Sequence, residues 1–158
     1  MFSNMETTPD PQAARDALRE AERAAAAPFV DYPATPLWYS PAVGAWFTAL
    51  AAIVWYRPDT KYAIPAMVVL IALVGVFVSW HTRVRGTMPT LTGAPRELRG
   101  PMLSYGVGVV VIAAIVIPMG MWEPTAGVIA TFALVTVGIA AYEAAYARAA
   151  RAVRKRLG

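Results

Sequence analysis

The sequence of 158 residues contains no cysteine and a single histidine, His81. Without cysteine the chain can form no disulfide, no thiolate nucleophile and no iron–sulfur ligation. A haem held between two membrane histidines needs a second histidine, and no cluster of His, Asp or Glu has metal-ligand spacing. Glycine-rich nucleotide loops, nucleophile elbows and paired-carboxylate motifs are also absent. These absences predict a protein that is not an enzyme, with no catalytic residue, no cofactor and no metal.

Charge is missing from four long apolar stretches, and this absence is the most informative one in the chain. Each stretch has about the 20 residues that a helix needs to cross a bilayer. The composition agrees, because the chain is 58% hydrophobic and only 15% charged, with a mean hydropathy of +0.48. We therefore predict an all-α integral membrane protein. Its four transmembrane helices are predicted at residues 37–56, 63–80, 102–122 and 126–146.

Short connections predict how these four helices follow one another. Residues 57–62 join the first two spans, and residues 123–125 join the last two. Connections this short make neighbouring helices antiparallel, so we predict two helical hairpins. The middle segment, residues 81–100, is longer, and its glycines and prolines predict a largely irregular loop.

The distribution of basic residues predicts the orientation of the hairpins. Twelve of the 14 Lys and Arg residues lie in the N-terminal segment, the middle loop and the C-terminal tail. Only Arg57 and Lys61 lie in the two short loops. Because cytoplasmic loops carry the excess of basic residues, both termini and the middle loop are predicted to be cytoplasmic. The excess of arginine over lysine is typical of a GC-rich bacterial genome, which predicts a bacterial plasma membrane protein.

The segments that flank the spans have patterns of their own. Asp10 and Pro11 predict the start of a helix, with Asp10 as its N-cap. Arg15, Arg19 and Arg23 form one basic stripe on this helix, which is either solvated or docked onto a partner or the membrane surface. In chain order we predict a disordered segment at residues 1–9, a cytoplasmic helix at 10–27 and an aromatic and proline-rich interfacial strap at 28–36. The four-helix membrane domain follows at 37–146, and a basic helical tail at 147–158.

Small residues spaced four apart are frequent in the predicted spans. Such pairs let helix backbones approach closely in a membrane, where apolar area alone gives no reason for helices to associate. The pairs serve packing within one chain or packing against another subunit, and the sequence leaves both open. The candidate helix-packing or partner contacts are Gly44, Thr48, Ser104, Gly108, Gly127 and Thr131.

A second group of candidates lies at the predicted cytoplasmic face. Glu143 is the only acid within reach of a membrane helix, and it either pairs with an arginine or binds a proton or cation. Orientation alone explains the arginines, so no nucleic acid partner is predicted, whereas anionic lipid headgroups are. The candidate lipid or partner contacts are His81, Arg83, Arg85, Arg96, Arg99, Glu143 and Arg148.

Three functions fit this sequence. The first is a non-catalytic membrane subunit that packs into a larger respiratory or transport complex, or into a homo-oligomer, and stabilises it. The second is a small oligomeric channel or transporter, which would need a path lined by hydroxyls or aromatics because no charge lies at the midplane. The third is a lipid-modifying or lipid-binding membrane protein that uses Glu143, His81 and the arginines. We favour the first function.

Overall fold

The computed structural model describes residues 11–31, 35–85 and 95–157, and the regular structure in these ranges is entirely α-helical. The predicted all-α class is therefore confirmed for the described residues. The predicted disordered segment, the cap Asp10 and the centre of the middle loop lie outside these ranges. The helices are α1 (Pro11–Val30), α2 (Tyr39–Tyr56), α3 (Thr60–Arg85), α4 (Arg96–Trp122) and α5 (Pro124–Leu157).

Three of these helices are long and apolar enough to cross a membrane, namely α3 over Thr60–Val84, α4 and α5. The prediction of membrane-spanning helices is therefore confirmed for these three helices, by their length and composition. The fourth predicted span lies on α2, whose 18 residues are about 27 Å long. Its aromatic ends and Pro41 lower its mean hydropathy, and α2 as a fourth span stays a prediction.

The long helix α5 is the centre of the bundle, and α1, α2 and α4 all pack against it. Along α4 and α5 the contacts run in reverse order, since Gly120 faces Gly127 whereas Ile112 faces Gly138. Along α2 and α5 the contacts also run in reverse order, since the Tyr56 hydroxyl lies 3.0 Å from the Thr125 hydroxyl whereas Gly44 faces Thr136. Helices α2 and α4 are therefore both antiparallel to α5.

Several helix ends differ from the predicted ones. Helix α1 runs through Pro28 to Val30, whereas residues 28–36 were predicted as a strap. Proline removes one backbone hydrogen bond from a helix, but Phe29 and Val30 are buried here, which offsets that loss. At the middle segment α3 continues to Arg85 and α4 begins at Arg96, so part of the predicted loop is helical. The C-terminal tail, by contrast, is helical as predicted, since α5 continues without interruption to Leu157.

Helix α3 contacts the bundle through aromatic side chains of α2 and of Trp38, the residue just before it. Trp38 packs against Trp80 with 5.1 Å between ring centroids, and Tyr39 packs against Phe77 at 5.6 Å. Further along, the Trp46 indole N–H donates to the carbonyl of Leu70 at 3.0 Å. Large rings hold the two backbones apart, so most of α3 presents its apolar side chains outward.

Candidate functional site: packing faces and the charged end

Helices α4 and α5 approach each other closely at two glycines, Gly120 of α4 and Gly127 of α5. A methyl group added at Gly127 would lie 2.4 Å from the Cα of Gly120 and 2.8 Å from the Trp55 ring. A methyl group at Gly120 would lie 2.1 Å from the same ring. Only glycine lets α4, α5 and the indole of α2 meet at this point, because any Cβ would occupy the space of a neighbour.

A second close approach joins α2 to α5 at Gly44. A methyl group there would lie 2.1 Å from the hydroxyl oxygen of Thr136. The hydroxyls of Thr48 and Thr131 donate to the carbonyls of Gly44 and Gly127, one turn earlier on their own helices, at 2.7 and 2.8 Å. Gly44, Gly127 and Thr131 are thus buried in the interior of this bundle, and Thr48 is half-buried beside them.

The third predicted pair, Ser104 and Gly108, lies on the outside of α4. The Ser104 hydroxyl is exposed and donates to the carbonyl of Pro101 at 2.8 Å. A methyl group at Gly108 would meet no neighbouring helix within 4 Å, and the same is true of Gly75 and Gly106. Within the described ranges these residues have room for a helix that this chain does not supply.

The charged end of the bundle is closed by α1, which packs across the start of α4 and the end of α5. Phe29, Leu98 and Tyr146 form one buried cluster, and Leu98 has no exposed surface. Ala26, Val30 and Val153 form a second one beside it. The Tyr146 hydroxyl donates to the carbonyl of Phe29 at 3.0 Å, which fixes the end of α1 against α5.

Helices α1 and α5 also cap each other with arginines. The Arg23 guanidinium donates through Nε to the carbonyl of Leu157 at 2.7 Å, at the end of α5. In return the Arg154 guanidinium donates to the carbonyl of Val30, at the end of α1, and lies 3.9 Å from Asp31. The last carbonyls of a helix lack partners within it and attract cations. Each helix therefore supplies an arginine that binds a last carbonyl of the other helix.

His81 lies at the charged end of α3 among aromatic rings. Its side chain is only 3% exposed, with ring centroids 5.8 Å from Phe77 and 6.4 Å from Trp80. The imidazole therefore belongs to the aromatic contact between α2 and α3. Among the described residues no group of three or more His, Asp or Glu side chains could hold a metal ion.

The other charged candidates are placed apart from one another. Glu143 is half-buried and accepts a hydrogen bond from the Thr35 hydroxyl, just before α2. Arg148 is exposed, and its Nε donates to the carbonyl of Ala144 at 3.2 Å on its own helix. Arg83, Arg96 and Arg99 are exposed as well, and the side chain of Arg85 lies outside what is described.

Sequence reasoning missed the residues that attach α1 to the bundle. Leu98 was assigned to an irregular loop, and Val153 to a tail. A signal was present, because each is a bulky aliphatic residue in a charged segment, which on a helix marks a face that packs. The ion pair of Glu97 with Arg156, at 3.0 Å, joins the start of α4 to the end of α5. It was missed because the partners lie 59 positions apart, so no local pattern links them.

The chain was compared with known proteins in three ways. No protein-family model, no curated protein and no solved structure matches it.

Proposed function

We propose that this chain is a non-catalytic integral membrane subunit, which packs into a larger membrane complex of respiratory or transport type, or into a homo-oligomer, and stabilises it. The observation that carries the proposal is the outward face of α4, where Ser104 and Gly108 have open space beside them. A partner helix at this face would make the close backbone contact that small residues permit.

The interior of the bundle supports this reading of the outer glycines. Gly44, Gly120 and Gly127 each lie against another helix, so closely that an added side chain would force a neighbour to move. Glycine in a helix costs about 1 kcal/mol relative to alanine, and close packing compensates for that cost. Gly106 and Gly108 carry the same cost, but no close packing compensates for it inside the described bundle. Packing against a neighbouring subunit would supply that compensation.

Helix α3 adds a second surface for such a neighbour. Its most apolar 18 residues are only 6% buried, although the helix has 26 residues. Its contacts with α2 are made by rings rather than by close backbone approach. Another subunit can therefore pack along most of α3 without displacing any interior contact.

The proposed topology has four spans in two hairpins, with α2 as the fourth span and both termini in the bacterial cytoplasm. The basic residues of α1, of the α3–α4 segment and of the end of α5 then share one side, as the positive-inside rule requires. The docking of α1 against the ends of α4 and α5 supports this arrangement, because it keeps the N-terminal helix on that same side.

We expect single cysteines to report this topology cleanly, because the natural chain has none. In intact cells a membrane-impermeant maleimide should label Asp59→Cys, in the connection between α2 and α3. It should label Glu22→Cys, on the exposed part of α1, only after the membrane is permeabilised. The reverse labelling pattern, or labelling of both sites in intact cells, would contradict the proposed orientation.

The subunit hypothesis is tested by purification in mild detergent. We expect the tagged protein to bring down stoichiometric membrane partners, or an untagged copy of itself. The double variant Ser104→Ile and Gly108→Ile should lose these partners by about ten-fold, the factor that corresponds to about 1.4 kcal/mol. Its bundle should remain folded, because Ser104 is exposed and a Cβ at Gly108 would meet no neighbour within 4 Å.

The matched control is Ala133→Ile, which adds similar bulk to an exposed position on α5. This variant should retain its partners, since the candidate pair Ser104 and Gly108 lies on α4 and is unchanged. Purification of the natural protein as a lone monomer would overturn the subunit hypothesis. Equal loss of partners in both variants would assign the effect to bulk alone rather than to the α4 face.

A further inference from the structure

The end of α5 carries five basic residues, and the structure divides them into two sets. Arg154 and Arg156 bind other helices of this chain, where they contact the carbonyl of Val30 and the carboxylate of Glu97. The remaining three are Arg148, Arg151 and Lys155, and all of them are exposed. Among the described residues none of these three forms an ion pair with an acidic side chain.

These three residues lie on one face of α5. Spacings of three and seven residues bring side chains to the same side of a helix. The opposite side of α5 is occupied, because Tyr146 packs against Phe29 and Leu98, whereas Val153 is fully buried against α1. The three cations therefore form an open basic stripe, which points away from both α1 and α4.

On the N-terminal side of Arg148, the same face of α5 is apolar. Ala133, Val137 and Ala144 are all exposed on it, and Val137 is 65% exposed. At 1.5 Å per residue the basic stripe begins about 6 Å beyond Ala144 and extends to about 16 Å beyond it. An apolar face that passes directly into a basic one matches the order of acyl chain and phosphate in a phospholipid.

We propose that Arg148, Arg151 and Lys155 bind the headgroups of anionic phospholipids in the membrane that α5 crosses. This inference rests on the membrane placement in the proposed function, but it is independent of any subunit partner. Guanidinium groups hold phosphate through paired charge-assisted hydrogen bonds. A basic residue near an anionic surface strengthens binding by about five-fold. The helix C-terminus favours the same cations without any lipid, so the test must measure lipid selectivity rather than helix stability.

The test uses the full-length protein in detergent with equal amounts of phosphatidylglycerol and phosphatidylcholine, and native mass spectrometry counts the lipids retained. The natural protein should prefer phosphatidylglycerol by about ten-fold or more. The triple variant Arg148→Gln, Arg151→Gln and Lys155→Gln should retain both lipids within about two-fold of each other.

The matched control is the double variant Arg15→Gln and Arg19→Gln, which removes exposed arginines that have acidic neighbours on α1, as in the ion pair of Arg19 with Asp16. It should keep the natural preference. Excess inorganic phosphate should not displace the retained phosphatidylglycerol, because the acyl chains contribute to binding.

Three results would overturn the proposal. The first is that the natural protein shows no preference for phosphatidylglycerol, as expected if the stripe served an acidic protein partner. The second is that the control variant loses the preference as fully as the triple variant does. The third is that free phosphate displaces the retained phosphatidylglycerol. If the lipid proposal fails, the protein partners recovered by purification should still be the same, and the subunit hypothesis is unaffected. Conversely, a lone monomer that still prefers phosphatidylglycerol would refute only the subunit hypothesis.

Discussion

Gly127→Ala is expected to lower the free energy of unfolding by about 3 kcal/mol, the upper end of the usual cost of overpacking a core. The added methyl group would lie 2.4 Å from a backbone atom, the Cα of Gly120, and 2.8 Å from the Trp55 ring. A flexible side chain could rotate away, but a backbone atom can yield only if α4 and α5 separate. Thermal unfolding in mild detergent, followed by circular dichroism, measures the loss.

The matched control for this prediction is Gly106→Ala, which adds the same methyl group to α4 where no neighbouring helix lies within 4 Å. It should raise stability by up to about 1 kcal/mol, because alanine is the better helix former. Equal thermal stability of the two variants would show that α4 and α5 do not approach each other at Gly127 as described.

Leu98→Ala is expected to cost about 2–5 kcal/mol, the range for removing a leucine side chain from a packed interior. Leu98 has no exposed surface and joins Phe29 of α1 to Tyr146 of α5. Its loss leaves a cavity where these three helices meet, so the charged end should open before the rest of the bundle. Hydrogen exchange at the backbone amides of α1 should accelerate, whereas exchange in the paired part of α4 and α5 should change little.

Leu103→Ala is the matched control, with the same substitution five residues later on the same helix. Leu103 is 63% exposed, so its truncation removes few protein contacts. Its exchange rates in α1 should equal those of the natural protein. Rapid exchange of α1 in the natural protein itself would contradict the docking of α1 described above.

The helices were predictable because a membrane imposes a simple rule on sequence. Uncharged runs of about 20 residues separated by charged turns mark helices, whatever their neighbours are. Helix ends were less predictable, since they depend on tertiary contacts. Pro28 locally favours the end of α1, and only the burial of Phe29 and Val30 against α4 and α5 extends the helix to Val30.

The candidate packing residues show the same division. The pairs Gly127 with Thr131 and Ser104 with Gly108 are equivalent in sequence, since both place small residues four apart. In the structure the first pair is interior and the second lies on the outside of α4. Spacing reveals that a helix has a face of small residues, but it carries no information about which helix covers that face.

By itself the sequence determined the helical class and the long apolar helices, because both follow from local composition and from the absence of charge. It also determined that the basic residues collect at the ends of those helices. Only the tertiary structure decided which of these cations are used internally. Arg154 and Arg156 contact other helices, whereas Arg148, Arg151 and Lys155 form no ion pair with an acidic side chain among the described residues. The physical reason is that α1 and α4 cover one side of α5: a residue such as Val153 marks a face that packs, but it carries no information about which helices cover that face.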